Sequence, residues 1–192
     1  MPERNDFYRK VIVTNRSLEE YECSLGIYIE GFRGQTVLDI GAGKHLTFAR
    51  QAMENGVNVI SLNPKLQFPR QRRRITPLRR RILGLPDEDR PPAIAAIAQK
   101  LPLADASVDA VFSLWAAPYW LPEEPAQIEA FFEESMRVLK PGGDAYFFPI
   151  GGNYEYDKKR ERVMRRLVAG YRYRISSANK MGWYNLSIIK NK

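Results

Sequence analysis

The chain has 192 residues, 44% of them hydrophobic, which is enough for one domain of ordinary size with a full core and gives no reason for a second. Its single cysteine, Cys23, excludes an internal disulfide or a multi-cysteine metal site, and its single histidine, His45, leaves too few ligands for zinc, so metal catalysis is not expected. The formal charge of +8 is local: Arg70 to Arg81 holds seven arginines and no acid, and removing them leaves +1. No run of about 18 uncharged apolar residues occurs and the first ten residues lack an apolar leader segment, so no membrane partner and a cytoplasmic location are expected.

Ser17 followed by Glu20 reads as a capping box, and Tyr21, Leu25, Tyr28 and Ile29 repeat at helical spacing up to Gly31, predicting an N-terminal helix over 17–30. "TVLDI" is a short apolar strand. The next helix carries Leu46, Ala49 and Met53 on one face and stops near Gly56. "NVISL", Asn58 to Leu62, completes a strand, helix, strand unit of the length a parallel crossover needs.

The arginine segment and "GLPDEDRPP" interrupt the rhythm, and "AIAAIA" follows as a third strand. "VDAVFSLW", Val108 to Trp115, is a buried strand, and Ile128, Phe131, Phe132, Met136 and Leu139 form the stripe of a helix that "KPGG" ends. "DAYFFPI" is a fifth strand. Val163, Met164, Leu167 and Val168 mark a helix ending at Gly170, and "YRYRISSANKMGWYNLSIIK" reads as a terminal hairpin turning at Lys180 to Gly182.

"TVLDIGAGKHLTFA" is the stretch with chemistry in it. A phosphate loop would need Gly at Leu38 and Ser or Thr at His45. A dinucleotide fingerprint would need Gly at Leu46. Asp39, just ahead of the glycines, repels a pyrophosphate but suits a cofactor presenting an ammonium group. It also argues against an NADP-type domain, which Asn63 with Lys65 and Arg70 nearby would otherwise admit.

Four segments in order, "VLDIGAGKH", "VISLNP", "LPLADASVDAVFSLW" and "MRVLKPGGDAYFFPI", resemble the motifs of class I S-adenosylmethionine-dependent methyltransferases, from about Thr36 to the C-terminus. The resemblance implies an α/β fold, a doubly wound and mostly parallel sheet closed by a C-terminal antiparallel hairpin, in one domain over 1–192. It implies S-adenosylmethionine as cofactor. Asp39 would meet the cofactor's amino group directly or through water, and Gly41, Ala42 and Gly43 would let the backbone approach its methionine and ribose. Asn63, followed by Pro64, stands where the family has an acid on the ribose hydroxyls. Ala98 and Gln99 would border the adenine, Ser113 and Leu114 would floor the pocket, and Ile97 takes the place of an acid that reads the adenine amino group.

If the acceptor must lose a proton, His45 or Tyr119 is the candidate base. Methylation of an adenine amino group is disfavoured by "AAPY" at 116–119, and cytosine carbon methylation by the setting of Cys23. The favoured reading is a small, anionic acceptor, with the N-terminal helix and the segment 65–92 as a lid. An RNA acceptor gripped by Arg70 to Arg81 and a catalytically silent binding protein stay open beside it. Each residue also has a plain structural role: a tight turn for the glycines, a helix cap for Asp39, a helix start for His45, a cover over the next helix for Tyr119 and Trp120, a solvated loop for the arginines.

Overall fold

A computed structural model describes residues 15–43, 45–64, 91–122, 124–152, 155–177 and 183–191. The Arg70 to Arg81 cluster, Lys44 and the turn predicted at Lys180 to Gly182 lie outside them.

The helix α1, Leu18–Leu25, starts at the capping box: Ser17 Oγ accepts from the Glu20 amide at 3.3 Å, and Glu20 Oε2 accepts from the Ser17 amide at 2.8 Å. It does not run to residue 30. Gly26 takes a left-handed C-cap at φ +67° and a 3-10 helix, Ile29–Phe32, follows. Ile27 and Ile29 are buried, while Tyr28, in the predicted stripe, is exposed. The glycine signal at 26 outweighs the apolar spacing beyond it.

The first strand, β1, Thr36–Ile40, lies between β2 and β4 in the sheet. The helix α2, Thr47–Glu54, leads to β2, Asn58–Leu62. α2 buries Phe48, Ala49 and Ala52 instead of the predicted Leu46, Ala49 and Met53. Leu46 is its N-cap at φ +56°, and in a helix of eight residues the incoming loop sets which face turns inward.

β2 is flanked by β3, Ala93–Ile94, which is two residues rather than six. Ile94 pairs with Leu62, the last residue of β2, and beyond it Ile97 bridges to Lys100 instead of extending the strand. β4, Val108–Leu114, is buried along nearly its whole length. The helix α3, Pro125–Val138, passes straight into β5, Leu139–Gly151, without the break predicted at "KPGG". Leu139 pairs with Val108 and the ladder resumes at Asp144 with Ala110, so Lys140 to Gly143 bulge out of register. The helix α4, Glu155–Val168, and the antiparallel pair β6, Arg172–Ser177, and β7, Tyr184–Ile189, complete the fold.

The seven strands lie in the order β3-β2-β1-β4-β5-β7-β6. β1 is parallel to β2 and β4, β4 to β5, and β7 is antiparallel to β5 and β6. Alternation along the strands divides the interior in two. One face, with Leu38, Ile40 and Val111, packs against Phe131 of α3 and Met164 of α4. The other, with Val37, Val59 and Phe112, packs against Tyr21 of α1 and Phe48 of α2. The strand order reverses between β1 and β4, and sheets of this type bind ligands outside the carboxyl ends of the strands at such a point. Among the described residues, no helix is long and apolar enough to cross a membrane.

Candidate functional site

The chain leaves β1 at the switch point through Gly41 at φ +86° and Gly43 at φ +72°. The Gly41 and Ala42 amides donate to the Leu62 carbonyl at 2.8 and 3.2 Å, and the Gly43 amide donates to the Gly41 carbonyl at 2.6 Å. A Cβ on Gly41 would lie 2.2 Å from the Ala116 Cβ, so glycine is required there by the segment after β4. Asn63, 5% exposed, donates Nδ2 to the Gly43 carbonyl at 2.9 Å. Asp39, Gly41 to Gly43 and Asn63 are therefore brought together across the ends of β1 and β2.

The Asn63 bond gives the amide a role that an acid could not fill. Asn63→Asp is expected to weaken binding of S-adenosylhomocysteine about tenfold, because a carboxylate oxygen would face the Gly43 carbonyl without a proton to give it. Calorimetry checks this, and tighter binding would show that residue 63 turns to the ribose instead.

Asp39 is fully buried. Its Oδ1 accepts from the Tyr21 hydroxyl at 2.6 Å, and Oδ2 has no partner among the described residues. Ser61, its register neighbour on β2, also has a buried Oγ without a partner among them. Burial pushes the Asp39 carboxyl up to about 7, with the Tyr21 hydrogen bond acting the other way. Burial, helped by the charge of Asp39, raises the Tyr21 hydroxyl well above its ordinary value. A buried carboxylate with one oxygen left over suits a donor that carries positive charge and opposes a phosphate. The amino group of S-adenosylmethionine fits that requirement.

The other predicted cofactor residues take various places. Ser113 is buried at the end of β4 and donates Oγ to the Ala117 carbonyl at 2.6 Å, fastening the following loop. Leu114 belongs to the core on the α1 side. Ala98 is buried, and Gln99 donates to Gln127 on α3 at 3.0 Å. Pro64 is half-buried directly after Asn63. Glu134 and Arg137 of α3 hold the segment after Gln99: Glu134 Oε2 accepts from the Leu101 amide at 2.6 Å, and Arg137 donates to the Leu101 and Leu103 carbonyls. That clamp has no signal in the sequence beyond an i, i+3 charge pair.

His45 and Tyr119, the two candidate bases, differ in setting. His45 is exposed, and its amide donates to Asn15 Oδ1 at 3.0 Å, tying the glycine loop to the segment before α1. Tyr119, after β4, stands edge-on to Trp115, Trp120 and Trp183 at centroid separations of 5.6, 5.0 and 5.4 Å. The Arg160 guanidinium carbon lies 5.3 Å from the Tyr119 ring centre. Arg160 and Asp157 are both buried and approach to 3.5 Å. Trp115 holds a left-handed φ of +51°, uncommon for a bulky residue, and its amide donates to Phe148 at 2.6 Å. Trp183 comes from the segment before β7, and sequence reasoning did not include it, Trp115 or Arg160.

The strand order, the glycine turn after β1 and the acid before it define the class I methyltransferase fold. Residues 38–147, more than half of the chain, match the family described as "Methyltransferase domain", and the chain belongs to that family of S-adenosylmethionine-dependent methyltransferases. It is 35% identical over 118 residues to a malonyl-[acyl-carrier protein] O-methyltransferase of Methylovorus sp. (strain MP688), a match that spans 61% of this chain and 37% of that relative. A methyltransferase structure from Mesorhizobium loti superposes with a TM-score of 0.59 at 15% identity, covering 91% of this chain and 98% of its own. One from Methanosarcina mazei gives 0.57 at 16%, covering 86% and 98%. The 1,6-didemethyltoxoflavin-N1-methyltransferase of Burkholderia thailandensis, solved with S-adenosylhomocysteine, gives 0.51 at 14%, covering 91% and 76%.

Proposed function

We propose that this methyltransferase acts on a small acceptor bearing a carboxylate, seated against Trp115, Tyr119, Trp120 and Trp183 with its anionic end toward Arg160. The observation that carries the reading is the buried Arg160 guanidinium over the Tyr119 ring, in a group of indoles at the carboxyl end of the parallel strands, where the glycine turn also lies. β5 and β7 pair at Gly151 with Tyr184, so Trp183 stands near the carboxyl end of β5, the same end of the sheet. The Methylovorus relative, named for O-methylation of a malonyl group on a carrier protein, lends support to a carboxyl acceptor.

When bound, the cofactor supplies a methyl group on a sulfonium, open to in-line displacement. A carboxylate is already ionised near neutral pH and needs no base, so neither the exposed His45 nor Tyr119 has to take a proton. Asp39, the glycine turn and Asn63 hold the methionine and ribose end, with the Asn63 amide oxygen as the group that would accept from a ribose hydroxyl. Ala98 and Gln99 border the nucleoside, and the aromatic walls exclude water and align the acceptor, which is where most of the rate is gained. Residues 65–90 of the segment read above as a lid lie outside the described residues.

The test is S-adenosylhomocysteine release with a series of short carboxylic acids and their amides. Carboxylates should turn over and amides should not. Trp120→Ala, at a ring that is 40% exposed and so of small weight in folding, should raise KM about tenfold with kcat nearly unchanged. Turnover confined to neutral acceptors would sink the reading.

A further inference from the structure

The Tyr21 hydroxyl, on the first helix, bonds the acid before the glycine turn. At its place in the α1 stripe a phenylalanine would fill the same space, and burying a hydroxyl is unfavourable unless it is bonded. Its bond goes to Asp39 Oδ1 at 2.6 Å. The ring has little freedom to place that hydroxyl elsewhere, because it stacks on Phe48 at 3.8 Å with 10° between the planes. The helix carrying it is fastened to the cofactor side of the sheet at two further points. The Leu18 amide donates to Gln51 Oε1 on α2 at 2.8 Å, and Asn15 Oδ1 accepts from the His45 amide in the glycine loop.

We propose that Tyr21 is a positioning residue of the cofactor site, whose hydroxyl fixes the Asp39 carboxylate through Oδ1 and so leaves Oδ2 to the amino group at the methionine end of the cofactor. The inference rests on the reading of Asp39 as the acceptor of that amino group. Around Asp39 stand Tyr21 from α1, bonded to it, and its register neighbours Ser61 on β2 and Phe112 on β4, while Phe48 from α2 packs against Tyr21 and Phe112. Arg16 and Glu20 are charges felt at the Tyr21 hydroxyl. Tyr21 is thus the only titratable neighbour that bonds Asp39 among the described residues. Without the hydroxyl, burial favours the neutral acid, which has no attraction for an ammonium group.

Calorimetry of the full chain with two ligands tests this: S-adenosylhomocysteine, and 5′-methylthioadenosine, which keeps the nucleoside and thioether but has no amino-acid end. Tyr21→Phe keeps the ring stack and removes the hydroxyl. It should weaken S-adenosylhomocysteine about tenfold and 5′-methylthioadenosine less than about twofold, which also shows that the variant is folded. Raising the pH from about 7 to about 8.5 should recover part of the loss by ionising Asp39. Asp39→Asn should give the same ligand pattern, and the double variant should bind no more weakly than Asp39→Asn alone. Equal losses for the two ligands, or no loss, would overturn the role of Tyr21. A wild-type chain that binds both ligands equally well would overturn the placement of Asp39 at the amino group instead.

Discussion

Asp39→Asn is expected to make the ligand-free protein more stable at pH 8 and a poorer binder of its cofactor. In the unfolded chain the carboxyl ionises near 3.8, and in the folded chain near 7. Between those values the folded state holds a proton that the unfolded state has released, so stability falls as pH rises through the window and is lowest above pH 7. The loss across the window is on the order of 4 kcal/mol. A neutral amide of the same shape escapes it. The variant should melt several degrees higher than the parent at pH 8, and the difference should shrink toward about pH 4. Thermal melting across a pH series measures this, and a parent whose stability is flat over the window would show that Asp39 ionises normally. On the proposed role of Asp39, a cation at Oδ2 would offset that cost to the empty protein on binding.

Gly41→Ala should be strongly damaging. The left-handed φ of +86° disfavours alanine by about 1–2 kcal/mol, and the new Cβ would lie 2.2 Å from the Ala116 Cβ, so backbone must move on one side. We expect about 3 kcal/mol of lost stability and loss of cofactor binding. Gly34→Ala separates the two contributions: Gly34 has φ +78° and nothing lies within 4 Å of the place its new methyl would take, so only the backbone strain of about 1 kcal/mol remains. Ala116→Gly in the Gly41→Ala background removes the clashing carbon and should return part of the stability and binding. Melting temperatures of the parent and these three variants decide the matter. No recovery in the double variant would mean that the strain, not the contact with Ala116, dominates.

Much of the architecture was readable along the chain because it is held in stretches of a few residues. β1, β2 and β4 are apolar runs covered on both faces, and the stripe Ile128, Phe131, Phe132 and Met136 is buried as its spacing requires. The alternation of Tyr173 and Ile175 with Arg172 and Arg174 predicts the β6 strand that pairs with β7. The ordered motifs carried the family and its cofactor, which the family match bears out, and the solved relatives bear out the fold. Boundaries were less legible where two local signals competed, as at Gly26 in the first helix, or where a strand's length depended on its partner, as at Ile94.

By itself, then, the sequence determined the kinds of element, the glycine turn and the acid ahead of it, since propensity, periodicity and capping act within about one turn or one strand. Only the tertiary structure decided what those residues touch. The Tyr21 bond to Asp39 spans 18 residues, the Asn63 bond to Gly43 spans 20, and the ring of Trp183 reaches Tyr119 from the far end of the chain. The contact that forces glycine at position 41 comes from Ala116, on the other side of the β1 to β4 reversal. Such partners are set by strand order, by register and by which face of the sheet a helix covers. Those are properties of packed elements, and no spacing along the chain encodes them.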